Sequence, residues 1–177
     1  FYHVDDAYLE AHPEVEKEFR IEPMSDAFAE YVYDVDALVG LHGAKLHKKK
    51  NLIAQFRKAW PQAKTERVGE SNLADCQALA ERWRMAQPDP DALEIRHEAE
   101  AIARAVRHYS ELPLEGVALR VDGTLIGFSM CSPIGPDIWT EHFEKADASW
   151  KGAAQVLNWE TAKALQGRVK TLNREQD

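Results

Sequence analysis

The dipeptide Asp122-Gly123 constrains the fold of this chain more than any other feature in it. It lies between two runs, 116–121 and 124–132, that read as strands, and an Asp-Gly pair supplies the two positive-φ residues a tight hairpin demands. The two runs are therefore antiparallel neighbours in a sheet. A third strand is expected over 138–145, a helix over about 151–166, and a closing strand over 169–173. Upstream, a short strand near 65–68 precedes two helices separated by the two prolines of 87–91. The first spans about 72–85 and turns Leu73, Cys76, Ala80 and Trp83 inward. The second ends near Tyr109 and turns Ile95, Ala99, Ile102 and Val106 inward.

The first third is less regular. Residues 5–19 read as an irregular acidic helix, 20–22 as a short strand, and 30–35 as another in which Tyr31, Tyr33 and Val35 alternate. Asp36 is the expected N-cap of the next helical stretch. Residues 44–60 then make one strong helix, ended by Pro61. Leu46, Ile53, Phe56 and Trp60 form its apolar stripe, and Lys49 completes the spacing of three, four, three and four. Lys49 therefore points with the apolar face, where a cation must snorkel, pair with a carboxylate or face a cavity.

A net charge of −8 argues against a surface that attracts nucleic acid or anionic lipid everywhere. Yet no acid lies between Asp36 and Glu66, while Lys45, Lys48, Lys49, Lys50, Arg57, Lys58 and Lys64 all do. A phosphate-bearing ligand at Lys49 and Lys50 (tRNA, coenzyme A or a lipid head group) and a merely exposed basic helix both suit this run. Cys76 and Cys131 build neither a disulfide framework nor a metal-ligand spacing, so no metal and a reducing, cytoplasmic setting are expected. No apolar run approaches the roughly 20 residues that span a bilayer. The absent initiator Met and the charged stop at Asp177 read as part of a longer protein.

The order strand, two helices, three meandering strands, helix, strand resembles that of GNAT acyltransferases without their last helix and strands. GNAT enzymes place a Gln/Arg-x-x-Gly-x-Gly/Ala turn after the third strand, where free amides at a helix N-terminus hold the pyrophosphate of coenzyme A. Here the turn reads Ser149-Trp150-Lys151-Gly152-Ala153-Ala154: Gly152 and Ala154 fit, and Ser149 replaces the Gln/Arg. An ordinary helix start with small residues would look the same. On strand 138–145, a period of two puts Thr140, His142 and Glu144 on one face and Trp139, Phe143 and the Lys145 stem on the other. An imidazole near a carboxylate can take a proton from an amine or hydroxyl; a solvated polar face is the alternative. Asn173-Arg174-Glu175-Gln176-Asp177 comes after the last strand, where a GNAT sheet splays to hold the acyl group. There Arg174 suits a carboxylate or phosphate, and Glu175 or Asp177 an ammonium.

The stretches 142–147, 151–158 and 173–177 together resemble the catalytic-domain family of phosphatidylglycerol lysyltransferase and its stand-alone bacterial relatives. Tyr31-Val32-Tyr33-Asp34 and Leu46-His47-Lys48-Lys49-Lys50-Asn51 match that family's linker region, so the resemblance covers about 28–177. It implies an α/β, GNAT-like mixed sheet flanked by helices, the second of two tandem halves. Residues 1–43 would be the tail of the first half, 44–61 a basic linker helix, and 62–177 the second domain without its C-terminal strands. Characterised members move an aminoacyl group from aminoacyl-tRNA to a lipid hydroxyl. By resemblance, this chain is expected to be an acyl- or aminoacyl-transferase from a donor ester or thioester to a hydroxyl or amine. His142, Glu144, Asn173, Arg174 and Asp177 would be catalytic; Lys49, Lys50, Asp147, Ser149, Gly152 and Ala154 would meet the donor or its phosphates. No permanently bound cofactor is implied. Aminoacyl-tRNA or acyl-CoA would be the donor, with tRNA along helix 44–61 and a small molecule or lipid head group as acceptor. Lys50 where arginine is common, and Ala154 where an aromatic is common, depart from the pattern. A coenzyme-A-dependent N-acetyltransferase and a catalytically silent GNAT-like binding module are the alternatives.

Overall fold

In the computed structural model, the structure describes residues 4, 6–25, 29–43 and 46–175. The chain runs α1 (Asp6–Ala11), α2 (Val15–Glu18), β1 (Val32–Asp34), α3 (Val35–Gly40), α4 (His47–Ala59), β2 (Lys64–Arg67), α5 (Leu73–Met85) and α6 (Leu93–Arg107). It continues through β3 (Glu115–Val121), β4 (Thr124–Pro133), β5 (Ile138–Ala146), α7 (Ala153–Leu165) and β6 (Thr171–Asn173). The hairpin forms as the Asp-Gly pair requires: Val121 pairs with Thr124, and φ is 49° at Asp122 and 81° at Gly123.

The strands form one sheet in the order β1-β6-β5-β4-β3-β2. Every pairing is antiparallel except β5 with β6, which α7 connects by a crossover. Helices cover both faces, giving the mixed α/β, GNAT-like architecture that the element order predicts. On one face α3, α4 and α7 bury Val35, Leu38, Ile53, Phe56 and Leu157 against Leu119, Ile126, Trp139 and Leu172. On the other, α5 and α6 bury Cys76, Leu79 and Ile102 against Ala118, Phe128 and Met130. Each cluster removes several large side chains from water at roughly 25 cal/mol per Å² of apolar area.

Several local expectations are corrected. The helix expected over 5–19 is broken at Pro13 into α1 and α2, because proline lacks the N–H that a continuous helix needs. Residues 20–22 form no strand; Ile21 is exposed and pairs with no strand among the described residues. The N-cap of α3 is Asp34, whose carboxylate accepts from Ala37 N at 2.8 Å, and Asp36 lies inside the first turn. β1 is the edge strand of the sheet, paired with β6. Residues 44 and 45, the expected start of the basic helix, lie outside the described residues.

The largest departure is in β5. Met130 pairs with Phe143 but Cys131 pairs with Glu141, leaving His142 as an extra residue without a cross-strand partner. This bulge resets the alternation. Trp139 packs on the α3–α7 face and Glu144 reaches Asn158 of α7, whereas Phe143 packs on the α5–α6 face and Lys145 bonds Glu98 of α6. His142 and Glu144 therefore do not share a face, contrary to a strict period of two.

Where α7 starts, Gly152 has φ of 91°, and a Cβ there would lie 2.8 Å from the Leu52 carbonyl oxygen and 3.1 Å from Phe56 Cβ. Left-handed backbone and a helix–helix approach both require glycine. Gly152→Ala is expected to cost about 2 kcal/mol and to lower Tm. A thermal melt superimposable on the wild type would show that α4 is not held this way.

Candidate active site

Pairing between β5 and β6 extends only over Ile138↔Thr171, Trp139↔Leu172 and Thr140↔Asn173. Beyond it β5 stays with β4, while the chain after β6 stays with β1 through Arg174 N to Tyr31 O and Tyr31 N to Glu175 O, both 2.9 Å. Polar side chains gather where the two strands part.

On the α7 side, Arg174 donates from Nε to Glu141 Oε2 at 2.8 Å and from Nη2 to Glu144 Oε2 at 3.2 Å. Asn158 Nδ2 donates to Glu144 Oε2 at 3.4 Å, and Lys49 Nζ donates to Asn158 Oδ1 at 2.7 Å. Lys49 thus does turn inward from α4, at the end of a chain of contacts that reaches Arg174. The side chains of Arg174 and Glu141 are 10% and 2% exposed, and Glu141 Oε1 has no hydrogen-bond partner among the described residues. Burial, and then the neighbouring Glu144 charge, push the Glu141 carboxyl up to about 8 against the pull of Arg174. Glu144 is also raised, chiefly by burial, with Arg174, Asn158 and Lys49 opposing. Glu141 consequently holds its proton to a higher pH than an ordinary carboxyl does.

On the opposite side stands His142. Its Nε2 is 2.7 Å from Ser132 Oγ and its Nδ1 is 3.2 Å from Glu175 Oε1. The carboxylate partner of the imidazole is therefore Glu175, not Glu144. Arg174 and Glu175 are consecutive, yet their side chains reach opposite sides of β5. Glu175 takes φ of 53°, and its amide donates to Asn173 Oδ1 at 2.8 Å. Asn173, itself buried, donates from Nδ2 to Glu30 Oε2 at 2.6 Å.

Other candidate residues lie elsewhere or make different contacts. Asp147 Oδ1 accepts from Ser149 N at 2.9 Å and from Ser149 Oγ at 2.6 Å. Gly152 faces α4, Ala154 is half-buried, and Trp150 packs on Trp60 with centroids 4.5 Å apart. Lys50 is exposed. Asp177 lies outside the described residues. No group of three or more His, Cys, Asp or Glu among the described residues is placed to hold a metal. A cavity of about 250 Å³ lies apart from this cluster, between α7 and the start of β3, lined by Tyr109, Gly116, Cys131, Thr161 and Arg168.

Sequence reasoning missed Ser132, Glu141 and Asn158. Asn158 left a signal, a polar residue flanked by buried positions of α7 and so in need of a partner. Glu141 left a weaker one, as one of four titratable residues on an interior strand. Ser132 left none.

Fold and site together define a class: a GNAT-like mixed α/β domain with its polar cluster where two parallel strands part. The chain belongs to the family described as phosphatidylglycerol lysyltransferase, C-terminal, whose model matches residues 1–175. A conserved protein of unknown function from Bacteroides thetaiotaomicron is similar at 27% identity and a TM-score of 0.89, over 97% of this chain and 58% of that one. The C-terminal domain of a putative lysylphosphatidylglycerol synthetase from Agrobacterium fabrum shares the fold at 14% identity and a TM-score of 0.55, over 84% and 46%. L-PGS from Bacillus licheniformis does so at 11% and 0.53, over 82% and 43%. This chain thus spans less than two thirds of each of these structures. No curated protein matches it.

The buried carboxyl makes a stability prediction. Folded Glu141 titrates near 8, and a free glutamate near 4.5. The folded state therefore binds the extra proton between those values, and its stabilising contribution, complete below the lower one, is lost as pH rises through the upper. Glu141→Gln is expected to flatten the fall in stability over this window in urea unfolding. A variant whose stability falls as steeply as the wild type's would overturn the assignment.

Proposed function

We propose that this chain transfers an acyl group, and specifically an aminoacyl group, from a donor ester to a hydroxyl or amine acceptor where β5 and β6 part. One observation carries the reading. The bulge at His142 sets an imidazole–carboxylate pair on one side of the strand and a buried carboxylate–guanidinium cluster on the other.

The acceptor enters beside His142, which takes its proton, and Glu175 stabilises the imidazolium that forms. Main-chain N–H groups of β5 beyond Thr140 have no β6 partner and polarise the donor carbonyl. An aminoacyl group differs from an acetyl group by its ammonium, and Glu141 with Glu144 offers that ammonium two carboxyls. One of them has an oxygen with no hydrogen-bond partner among the described residues. Arg174 holds the two carboxyls in place, and Asn173 holds the backbone at Glu175. The exposed cations of α4, Lys48, Lys50 and Lys58, suit the phosphates of a tRNA donor. An ester donor is favoured over coenzyme A by the turn at 149–154. There Asp147 already occupies the Ser149 amide and hydroxyl, and Gly152 packs against Leu52. The acceptor is a small-molecule or lipid head-group hydroxyl or amine. No helix among the described residues is long and apolar enough to cross a membrane.

A screen of aminoacyl-tRNA and acyl-CoA donors, read by mass spectrometry of the products, tests this. Transfer from aminoacyl-tRNA is expected, and His142→Ala should slow it by about 10²–10⁴-fold with an unchanged circular dichroism spectrum. Near-wild-type transfer by that variant would remove His142 from the mechanism. Donor binding without turnover would instead mark a silent binding module.

A further inference from the structure

The contacts of His142 include one that a simple general base does not need. Ser132 Oγ, on β4, lies 2.7 Å from Nε2, while Glu175 Oε1, after β6, lies 3.2 Å from Nδ1. Hydroxyl, imidazole and carboxylate stand in the order of nucleophile, base and orienting group, each contact within hydrogen-bond reach. Three separate stretches of chain converge to build it. Ser132 is paired with Thr140, and the bulge brings the side chain of His142 diagonally across to it.

A second serine supplies a contrast within the same strand. Ser129 Oγ meets Thr161 Oγ1 at 2.6 Å, and Thr161 donates on to the Leu157 carbonyl. Both hydroxyls are fully buried in that closed network, which is what a structural serine looks like. Ser132 is only half-buried, and the His142 side chain is 32% exposed, so a substrate carbonyl can approach. Glu175, for its part, is held at a positive φ by hydrogen bonds on both its amide and its carbonyl.

We propose that Ser132 is a covalent nucleophile, carrying the acyl group as a serine ester before it passes to the acceptor; this rests on the acyl-transfer reading above. Ser132 Oγ attacks the donor carbonyl carbon and the new C–O bond forms. The bond from that carbon to the leaving oxygen or sulfur breaks, and its electron pair stays with the leaving atom. His142 Nε2 takes the Oγ proton and delivers it to the leaving atom. The acceptor hydroxyl or amine, or water, then attacks the serine ester, gives its proton to His142, and Oγ recovers that proton as it leaves.

The test uses the full chain and p-nitrophenyl acetate, so it does not depend on the natural donor. A burst of p-nitrophenolate equal to the protein concentration is expected, with a single acetyl adduct located on Ser132 by peptide mass mapping. Ser132→Ala and His142→Ala should lower the burst rate by about 10²-fold or more. Ser132→Cys should still acylate, now as a thioester, which shows that a variant with an intact site folds. No adduct on the wild type, or an adduct on another residue, overturns the proposal. If Ser132→Ala moves an aminoacyl group from tRNA at the wild-type rate, covalent catalysis fails while direct transfer through His142 stands. If Ser132 acylates but neither aminoacyl-tRNA nor acyl-CoA supports transfer, the nucleophile stands and the transfer reading fails.

Discussion

One extra residue in β5 sets the geometry of everything around it. With strict alternation, Glu141 and Glu144 would point to opposite faces, and one of them would enter the apolar layer of Phe128 and Met130. An unpaired carboxylate there costs several kcal/mol or takes up a proton. The bulge at His142 brings both carboxylates to the α7 side instead, where one guanidinium spans them. It also turns the imidazole toward Ser132 and Glu175. Arg174 can reach the carboxylates because β6 leaves β5 after three pairs and continues along β1. Bulge and splay are thus two halves of one arrangement.

The cluster is a poor way to gain stability. Two buried carboxyls share one guanidinium, and Glu141 has an oxygen with no hydrogen-bond partner among the described residues. Apolar residues of similar volume would serve the fold as well or better. A site that instead receives a cation gains from this excess of acceptors, because the ligand supplies the missing donors and displaces a proton from Glu141. Perturbed carboxyls at the edge of a cleft are where ligand chemistry is expected on physical grounds.

The features legible in the sequence are local ones. The Asp122-Gly123 hairpin, the inward faces of α5 and α6, and the inward turn of Lys49 each depend on neighbours within a few residues. The bulge does not, because it is a property of the register between β4 and β5, and nothing in the order Thr140-Glu141-His142-Phe143-Glu144 announces it. For that reason a strict alternation pairs the imidazole with Glu144, two residues away, when its partner is Glu175, 33 residues on. Likewise Asp36 is on composition as good a cap as Asp34, and only β1 fixes where the turn begins. Asn173 and Arg174 are legible as cleft residues only through the family resemblance, which supplies the location that their polarity alone lacks.

The basic helix α4 is bound into this arrangement. Gly152 admits its backbone at Leu52, Trp60 packs at a tilt against Trp150, and Arg57 pairs with Glu160 at 3.1 Å while lying 4.3 Å over Trp159. Lys49 then passes through this packed face to Asn158, which holds Glu144. A polyanion drawn to the exposed lysines of α4 would therefore rest on an element whose inward lysine is hydrogen-bonded into the carboxyl cluster. Moving α4 toward or away from α7 would change the distance from Lys49 to Asn158, and with it the field that opposes the rise of the Glu144 carboxyl. The basic helix α4 is in this way also one of the elements that sets the charge of the cluster.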